Sequence, residues 1–497
     1  MEKQIKKITV ALSLAMLMTG CAVGPDFKRP APPTVKGYTA EPLPAHPSST
    51  DAGQQFVEGR DIPAQWWTLF HSPALNQLVE RSLKANPNLQ AAQATLRQAQ
   101  ENVYAAEGTL FPSVNANGSV MRQKTSGAQN GQKFPGSLFT LYNASVSVSY
   151  GIDLFGIARR GLETVEAQQE FERFQLESAY LTLTANVVTT AVQEASLRAQ
   201  ISATREIIDA EAQQLDMLQK QYDVGALSKS SVLAQQTALA QTRAGLPQLE
   251  KQLAQIRNQL AALAGYFPSE NGAAAFDLEM LQLPHELPVS LPSKLVEQRP
   301  DIRAAESQLH AASAEIGVAT ASMFPQLTLS AGAGSVANSA GSLFSAGSGI
   351  WNVGAGLIQP IFRGGTLLHQ KRAAVAAYDA AAAQYRSVVL SAFKDVANVL
   401  DALQSDNSIF EAQTVAAQSA TDSLDITRKQ YQVGAASYLS LLNAQQAYQQ
   451  TRIALAQARA TRYADTAALF QSLGGGWWNR DDGSDQTSHK ISEVDKQ

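Results

Sequence analysis

Residues Tyr142, Ala144, Val146, Val148, Tyr150 and Ile152 alternate with Asn143, Ser145, Ser147, Ser149 and Gly151. Strict alternation predicts a β-strand with one apolar face and one face of small polar groups. The pattern returns twice: Leu327, Leu329, Ala331 and Ala333 alternate with Thr328, Ser330, Gly332 and Gly334, and Trp351, Val353, Ala355 and Leu357 with Asn352, Gly354 and Gly356. Val114, Ala116 and Val120 make a weaker fourth strand. Gly/Ser-rich stretches at 127–136 and 338–349 join the strands in pairs. A soluble β-layer packed on helices would fit such a pattern. A membrane sheet fits better, because the 142–152 run has the roughly 9–11 residues of a tilted membrane strand. Its apolar side also carries tyrosine near both ends, as an aromatic girdle would.

Elsewhere the period is helical. Leu89, Ala92, Leu96, Ala99 and Val103 predict a helix over 86–108. Leu176, Tyr180, Leu183, Val187, Thr190, Glu194, Leu197, Ile201, Thr204, Ile208, Glu211, Leu215, Leu218 and Tyr222 then step by four and three without a break. Tyr385, Val389, Ala392, Val396, Val399, Leu403, Asp406, Phe410, Gln413, Ala417, Ala420, Leu424, Thr427 and Tyr431 do the same. A sustained seven-residue repeat favours helices in a left-handed supercoil. A helix from near Leu162 to Val224 would be about 90 Å long. Each lattice ends at Val-Gly-Ala, where Gly225 and Gly434 suit a left-handed C-terminal turn. Return helices run from there to Gly265 and Gly474.

The two lattices belong to a duplication. Pro87, Phe111 and Pro112 recur as Pro300, Phe324 and Pro325, 213 residues on. Gln221-Tyr222-Asp223-Val224-Gly225-Ala226 recurs as Gln430-Tyr431-Gln432-Val433-Gly434-Ala435, 209 residues on. The period is that of a domain-sized unit, far longer than a solenoid repeat. The expected organisation is a signal peptide (1–20), an extended N-terminal segment (21–65), a first repeat (66–265), a proline-rich linker (266–298), a second repeat (299–477) and a polar, disordered tail (478–497).

Lys3, Lys6 and Lys7 followed by a short apolar stretch read as a cleaved export signal, since the stretch is too short to span a bilayer. Met18-Thr19-Gly20 precedes Cys21, the only cysteine, which cannot form an intrachain disulfide. A buried structural thiol is one reading. The other is a bacterial lipobox, which leaves Cys21 as an acylated N-terminus, with Ala22 in place of the aspartate that resembles an inner-membrane retention signal. Lipid on one residue anchors without spanning.

A formal net charge of −4 and 16% charged residues argue against a nucleic-acid footprint. No later segment is apolar for long enough to be a transmembrane helix, so a membrane crossing would fall to strands. Candidate chemistry is sparse. The run from Gly332 to Ala337 fits a loose dinucleotide fingerprint, but no helix opens there and no acid follows at the required distance. His46, His71, His285, His310, His369 and His489 form no metal spacing and read as surface residues. Glu194 and Glu211 are expected to face water or a neighbouring helix. No nucleophile motif has its surrounding signature, so the chain reads as a non-enzyme without metal or cofactor, apart from lipid on Cys21.

Cys21-Ala22-Val23-Gly24-Pro25-Asp26-Phe27, Trp66-Trp67-Thr68-Leu69-Phe70 with Leu75-Asn76-Gln77-Leu78, and Leu473-Gly474-Gly475-Gly476-Trp477 complete the picture. Together with the duplication, strand pairs and long hairpins, they make the chain resemble the TolC-like outer-membrane factor family, in its lipoprotein, OprM- or NodT-type efflux channel branch. The resemblance covers nearly everything from Cys21 to Trp477. It implies an α+β membrane channel: a homotrimer with a 12-stranded β-barrel, four strands per chain, continued by a 12-helix coiled α-barrel through the periplasm. It also implies export of drugs or other small solutes with a periplasmic adaptor protein and an inner-membrane pump, in contact with outer-membrane lipid. Protein secretion of type I is the alternative within the family; a coiled-coil lipoprotein scaffold or an exported hydrolase would be alternatives outside it.

By the same resemblance, Val224, Gly225, Ala226, Val433, Gly434 and Ala435 are adaptor-docking turns. Members close the tunnel near the second tip with an arginine before the tyrosine and an aspartate before Ala-Gln. Here Gln430, Tyr431 and Asn443 stand at those places, so the charged pair is replaced by amides. Tyr431 is expected to point inward and Tyr222 to brace the other hairpin. Closure by neutral hydrogen bonds, each worth about 0.5–1.5 kcal/mol net, would depend little on pH between about 5 and 8.

Overall fold

The computed structural model describes residues 22–41, 54–126, 136–270 and 275–480; Cys21 and the signal segment lie outside them, as does most of the 127–136 loop. In chain order the elements are β1 (Gln55–Glu58), α1 (Pro73–Ala85), α2 (Pro87–Glu107), β2 (Ser113–Lys124), β3 (Leu138–Ile152), α3 (Ile157–Asp223) and α4 (Lys229–Leu263). Then follow β4 (Glu286–Val289), α5 (Pro292–Gln298), α6 (Pro300–Ala321), β5 (Gln326–Ala337), β6 (Gly349–Ile358), α7 (Thr366–Gln432) and α8 (Tyr438–Ser472). Proline opens α1, α2, α5 and α6, where its missing N–H leaves no bond unmade. The chain divides into two compact units, one of 1–30, 95–173 and 304–386, the other of 31–94, 174–303 and 387–497. Each unit therefore draws on both repeats.

The first unit is built on the predicted strands. They form one antiparallel sheet in the order β2-β3-β5-β6. Val114 faces Val148, Tyr142 faces Ala337, and Gln326 faces Ile358, so the sheet joins one hairpin from each repeat. Among the described residues β2 and β6 are paired on one side only. Val114, Val120, Trp351, Val353 and Leu357 stand exposed on these outer strands. The start of the described chain is tied to the same unit. The Val23 amide donates to the Phe155 carbonyl (3.1 Å), and Arg160 donates to Asp26 and Glu163 (2.7 Å each). His310 was expected to be a solvated surface residue. It stacks instead on Phe27 at 4.4 Å and bonds through Nε2 to Glu163 at 2.9 Å.

The second unit has its aromatic core where the two ends of the chain meet. Trp66, Trp67, Phe70 and Phe470 are fully buried, and Trp66 stacks on Phe470 at 5.3 Å. The Trp477 indole donates to the Gln298 carbonyl (2.7 Å) and that of Trp478 to Asp61 Oδ1 (2.9 Å). Two expectations change here. The 266–298 segment contains β4, which pairs in parallel with β1, and the short helix α5. Buried Leu287, Val289 and Leu295 supply the apolar surface that a bare linker would lack. The polar tail also begins ordered. Asn479 donates to Asp61 Oδ2 and the Ile62 carbonyl, and Arg480 pairs with Glu177 at 2.6 Å; residues 481–497 lie outside the description.

The predicted long helices are longer still. α3 and α7 have 67 residues each, or about 100 Å at helical rise, and α4 and α8 have 35 each. The lattice positions Leu183, Val187, Thr190, Glu194, Val389, Ala392, Val396 and Leu403 are buried, so the seven-residue pattern is the packing seam. Glu194 faces its neighbours rather than water, accepting hydrogen bonds from Arg257 (3.1 Å) and the Phe276 amide (3.0 Å). No described helix is long and apolar enough to cross a membrane.

Candidate functional site at the helical hairpin tips

Both hairpins lie in the second unit over their tips, and both turn in the same way. At the end of α3 the Ala226 amide donates to the Gln221 carbonyl and the Gly225 amide to that of Tyr222, 2.9 Å each. At the end of α7 the Ala435 amide donates to the Gln430 carbonyl (2.8 Å) and the Gly434 amide to that of Tyr431 (3.1 Å). This pair of bonds is the Schellman motif, and it requires a left-handed residue just past the helix. Gly225 and Gly434 supply it with φ of 76° each. Ser228 and Ser437 then start the return helices, and the Ser437 hydroxyl caps α8 by accepting from the Ser440 amide (3.1 Å). The turn leaves Val224 and Val433 about 80% exposed, two apolar side chains presented at the tips.

The hairpins are joined just behind the tips, and the join breaks the duplication. Tyr431 donates to Gln221 Oε1 (3.3 Å), and Tyr438 donates to Gln235 Oε1 (2.5 Å). Gln235, fully buried, passes the chain on by donating to the Glu211 carbonyl (3.0 Å). The Tyr431 and Tyr438 rings meet edge to face at 6.3 Å. In the first repeat, Lys229 stands where Tyr438 stands in the second, so the second hairpin supplies both donors and the first both acceptors. Burial raises the pKa of both phenols, with the charges of Tyr431 and Glu211 adding to the shift at Tyr438. Both therefore remain donors across the physiological range.

The other residues named from the sequence fall differently. Tyr222 is exposed and makes no side-chain hydrogen bond among the described residues. Tyr431 and Tyr438 make the bonds between the hairpins described above, and Tyr222 contributes its carbonyl to the turn. The side chains of Gln430 and Asn443 are exposed and make no hydrogen bond among the described residues; Gln430 serves the turn through its carbonyl.

Two acidic positions on the helix seams carry electrostatics that sequence reading missed. Glu211 is buried, its carboxyl raised by desolvation, with Thr242 pulling weakly the other way. Asp406 on α7 is buried and is pushed up to about 7, first by desolvation and then by the hydrogen bond and charge of Asp465 on α8, against the opposing charge of Arg462. The available signal was a polar residue at a lattice position; its carboxyl partner was invisible without the packing.

The model of the outer membrane efflux protein family matches residues 78–266 and again 291–475, one match per repeat. The pyoverdine export outer membrane protein OpmQ of Pseudomonas aeruginosa is 31% identical over 452 residues, covering 89% of this chain and 94% of the relative. The probable efflux pump outer membrane protein TtgC of Pseudomonas putida is 30% identical over 485 residues, 97% of each chain. The solved outer-membrane channel OprN is 28% identical and superposes with a TM-score of 0.84 over 92% of this chain and all of that one. With both repeats matched and the relatives aligned nearly end to end, the chain belongs to the outer membrane efflux protein family.

Proposed function

We propose that this protein is the outer-membrane channel of a tripartite efflux system. It works as a homotrimer, receives drugs or other small solutes from an inner-membrane pump, and docks a periplasmic adaptor at its hairpin tips. The observation that carries the reading is the four-stranded sheet whose outer strands β2 and β6 are, among the described residues, each unpaired on one side and bear exposed apolar residues. In lipid each unpaired backbone group costs several kcal/mol, so such a sheet must close on itself. Four strands cannot close, and about eight make a barrel that side chains fill. Three copies related by a rotation axis give twelve strands, the first closed count beyond that filled barrel. Mass measurement in detergent should therefore give a trimer, and a stable monomer would refute the assembly.

Lipid on Cys21 fits the same arrangement. The residue after it, Ala22, lies against Gly156, and Val23 bonds to Phe155, just past the end of the membrane strand β3. Fatty-acid labelling should mark the wild type and not Cys21→Ser. Equal labelling of both would refute the anchor.

Tyr431 is the residue we assign to the gate, and the assignment takes in Gln430 and Asn443 as neutral amides in place of a charged pair. Its bond to Gln221 and its contact with Tyr438 hold the second hairpin to the first behind the tips. A net loss of about 0.5–1.5 kcal/mol per hydrogen bond, multiplied over three copies, is enough to shift a two-state mouth by one to several tenfold steps. Tyr431→Ala should raise single-channel conductance in a planar bilayer, whereas Tyr222→Ala should leave it near wild type. The reverse order would move the gate to the first hairpin.

A further inference from the structure

We infer that a cavity in the second unit, walled by His71, His285, Phe410, Arg459, Arg462 and Tyr463, is a binding site for a small organic anion. Its ligand class is one carboxylate or phosphate group on an apolar or aromatic body. The cavity measures about 410 Å³ and no aspartate or glutamate lines it. That volume is in the range of small-molecule sites, roughly 300–1,000 Å³.

Arg462 is a cation held inside this wall without an ion-pair partner among the described residues. Its guanidinium lies over the Phe410 ring at 4.7 Å, and among the described residues its Nε is buried without an acceptor and it makes no ion pair or hydrogen bond. A guanidinium stays charged in proteins and carries donors in a fixed fork, so a buried N–H with no acceptor is costly. Desolvation lowers the Arg462 pKa first, and the charge of Arg459 lowers it further. Tyr463, Asp406 and Glu411 act in the opposite direction, and Asp465 is the other acid beside Asp406, yet none of these groups bonds to the guanidinium. Asp406 in its protonated form supplies no countercharge. Arg459 lies three positions earlier on α8, on the same helix face, and also has no ion pair among the described residues. Two like charges at this spacing repel unless an anion bridges them.

The remaining walls suit the body of such a ligand. Tyr463 spends its hydroxyl on the Leu281 carbonyl (2.6 Å) and so offers its ring. Phe410 offers another beside Arg462. The imidazoles of His71 and His285 stand at the wall and make no hydrogen bond among the described residues. His71 is the one described non-glycine residue with positive φ, 50°, a strained conformation of the kind that clusters at ligand sites. An oxyanion between the guanidiniums, taken in bidentate fashion by Arg462, would satisfy its donors and relieve the repulsion.

Titration calorimetry on the full-length protein in detergent tests this with benzoate, phenyl phosphate and, as the neutral twin, benzyl alcohol. Saturable binding of at least one anion is expected, with the tighter of the two identifying the headgroup. Arg462→Gln and Arg459→Gln should each weaken it by roughly tenfold or more, the loss of a charge-assisted contact, and Arg462→Lys should restore part of it. Arg459 is exposed and makes no ion pair among the described residues, so Arg459→Gln should leave the fold intact and decides the matter if Arg462→Gln does not assemble. Benzyl alcohol binding as tightly as benzoate, no saturable heat from either anion, or wild-type affinity in Arg459→Gln would overturn the proposal.

Discussion

Replacing Asp406 by asparagine should stabilise the protein at pH 8 and leave its stability unchanged near pH 3. The Asp406 carboxyl is pushed from 3.8 up to about 7 by burial and by Asp465. Between those two values the folded state holds a proton that the unfolded chain releases, so the folded state binds more protons and stability falls as pH rises. The loss begins near pH 4 and is complete just above pH 7. At 1.36 kcal/mol per unit it reaches at most about 4 kcal/mol per chain. Asparagine keeps the shape and can donate to Asp465 as the protonated carboxyl does, but it has nothing to ionise. Thermal unfolding followed by circular dichroism from pH 3 to 8 should show the two proteins diverging through this window. A constant difference across the range, or a less stable variant at pH 8, would show that the pair does not share a proton. Asn443 has no titratable group and contributes nothing to a pH response of the channel, whereas the Asp406–Asp465 pair can contribute one near neutrality.

Gly476→Ala should cost far more than Gly434→Ala, although both glycines have nearly the same backbone conformation. Their φ values are 73° and 76°. A side chain at positive φ costs about 1–2 kcal/mol wherever it stands. At Gly434 a Cβ would meet nothing within 4 Å, so that cost is the whole effect. At Gly476 it would lie 2.5 Å from the Ile62 carbonyl oxygen and 2.7 Å from that of Pro63, both backbone atoms that cannot rotate away. Overpacking adds about 1–3 kcal/mol, and moving the chain end also strains the Trp477 bond to Gln298 and the Trp478 bond to Asp61. A total of about 2–5 kcal/mol should appear as a large fall in melting temperature and in the yield of assembled protein. Equal losses in the two variants would mean that the chain end is not a structural clasp.

The glycine run before Trp477 shows how much the chain's motifs disclose and where they stop. Gly474-Gly475-Gly476-Trp477 was recognisable as a signature, and so was Trp66-Trp67, but neither revealed that the two pack together. The hairpin tips were fully legible because a Schellman turn is made by six consecutive residues. The strands and the 67-residue helices were legible for the same reason, since periods of 2 and 3.5 are properties of the backbone and are written locally. The duplication then showed that each element occurs twice.

What escaped was every feature whose parts are distant in the chain. The parallel pairing of Gln55 with Glu286 turned a proline-rich linker into a strand. The Tyr438–Gln235 bond takes its donor from the second hairpin although both tips read alike. Asp406 stood only as one polar position in the second heptad lattice until Asp465 and burial gave it a raised pKa. Local periodicity specifies which face of an element is apolar, because that depends on a few neighbouring dihedrals. Which polar group meets which, and at what dielectric, is specified only by how those faces pack, and that depends on contacts formed across hundreds of residues.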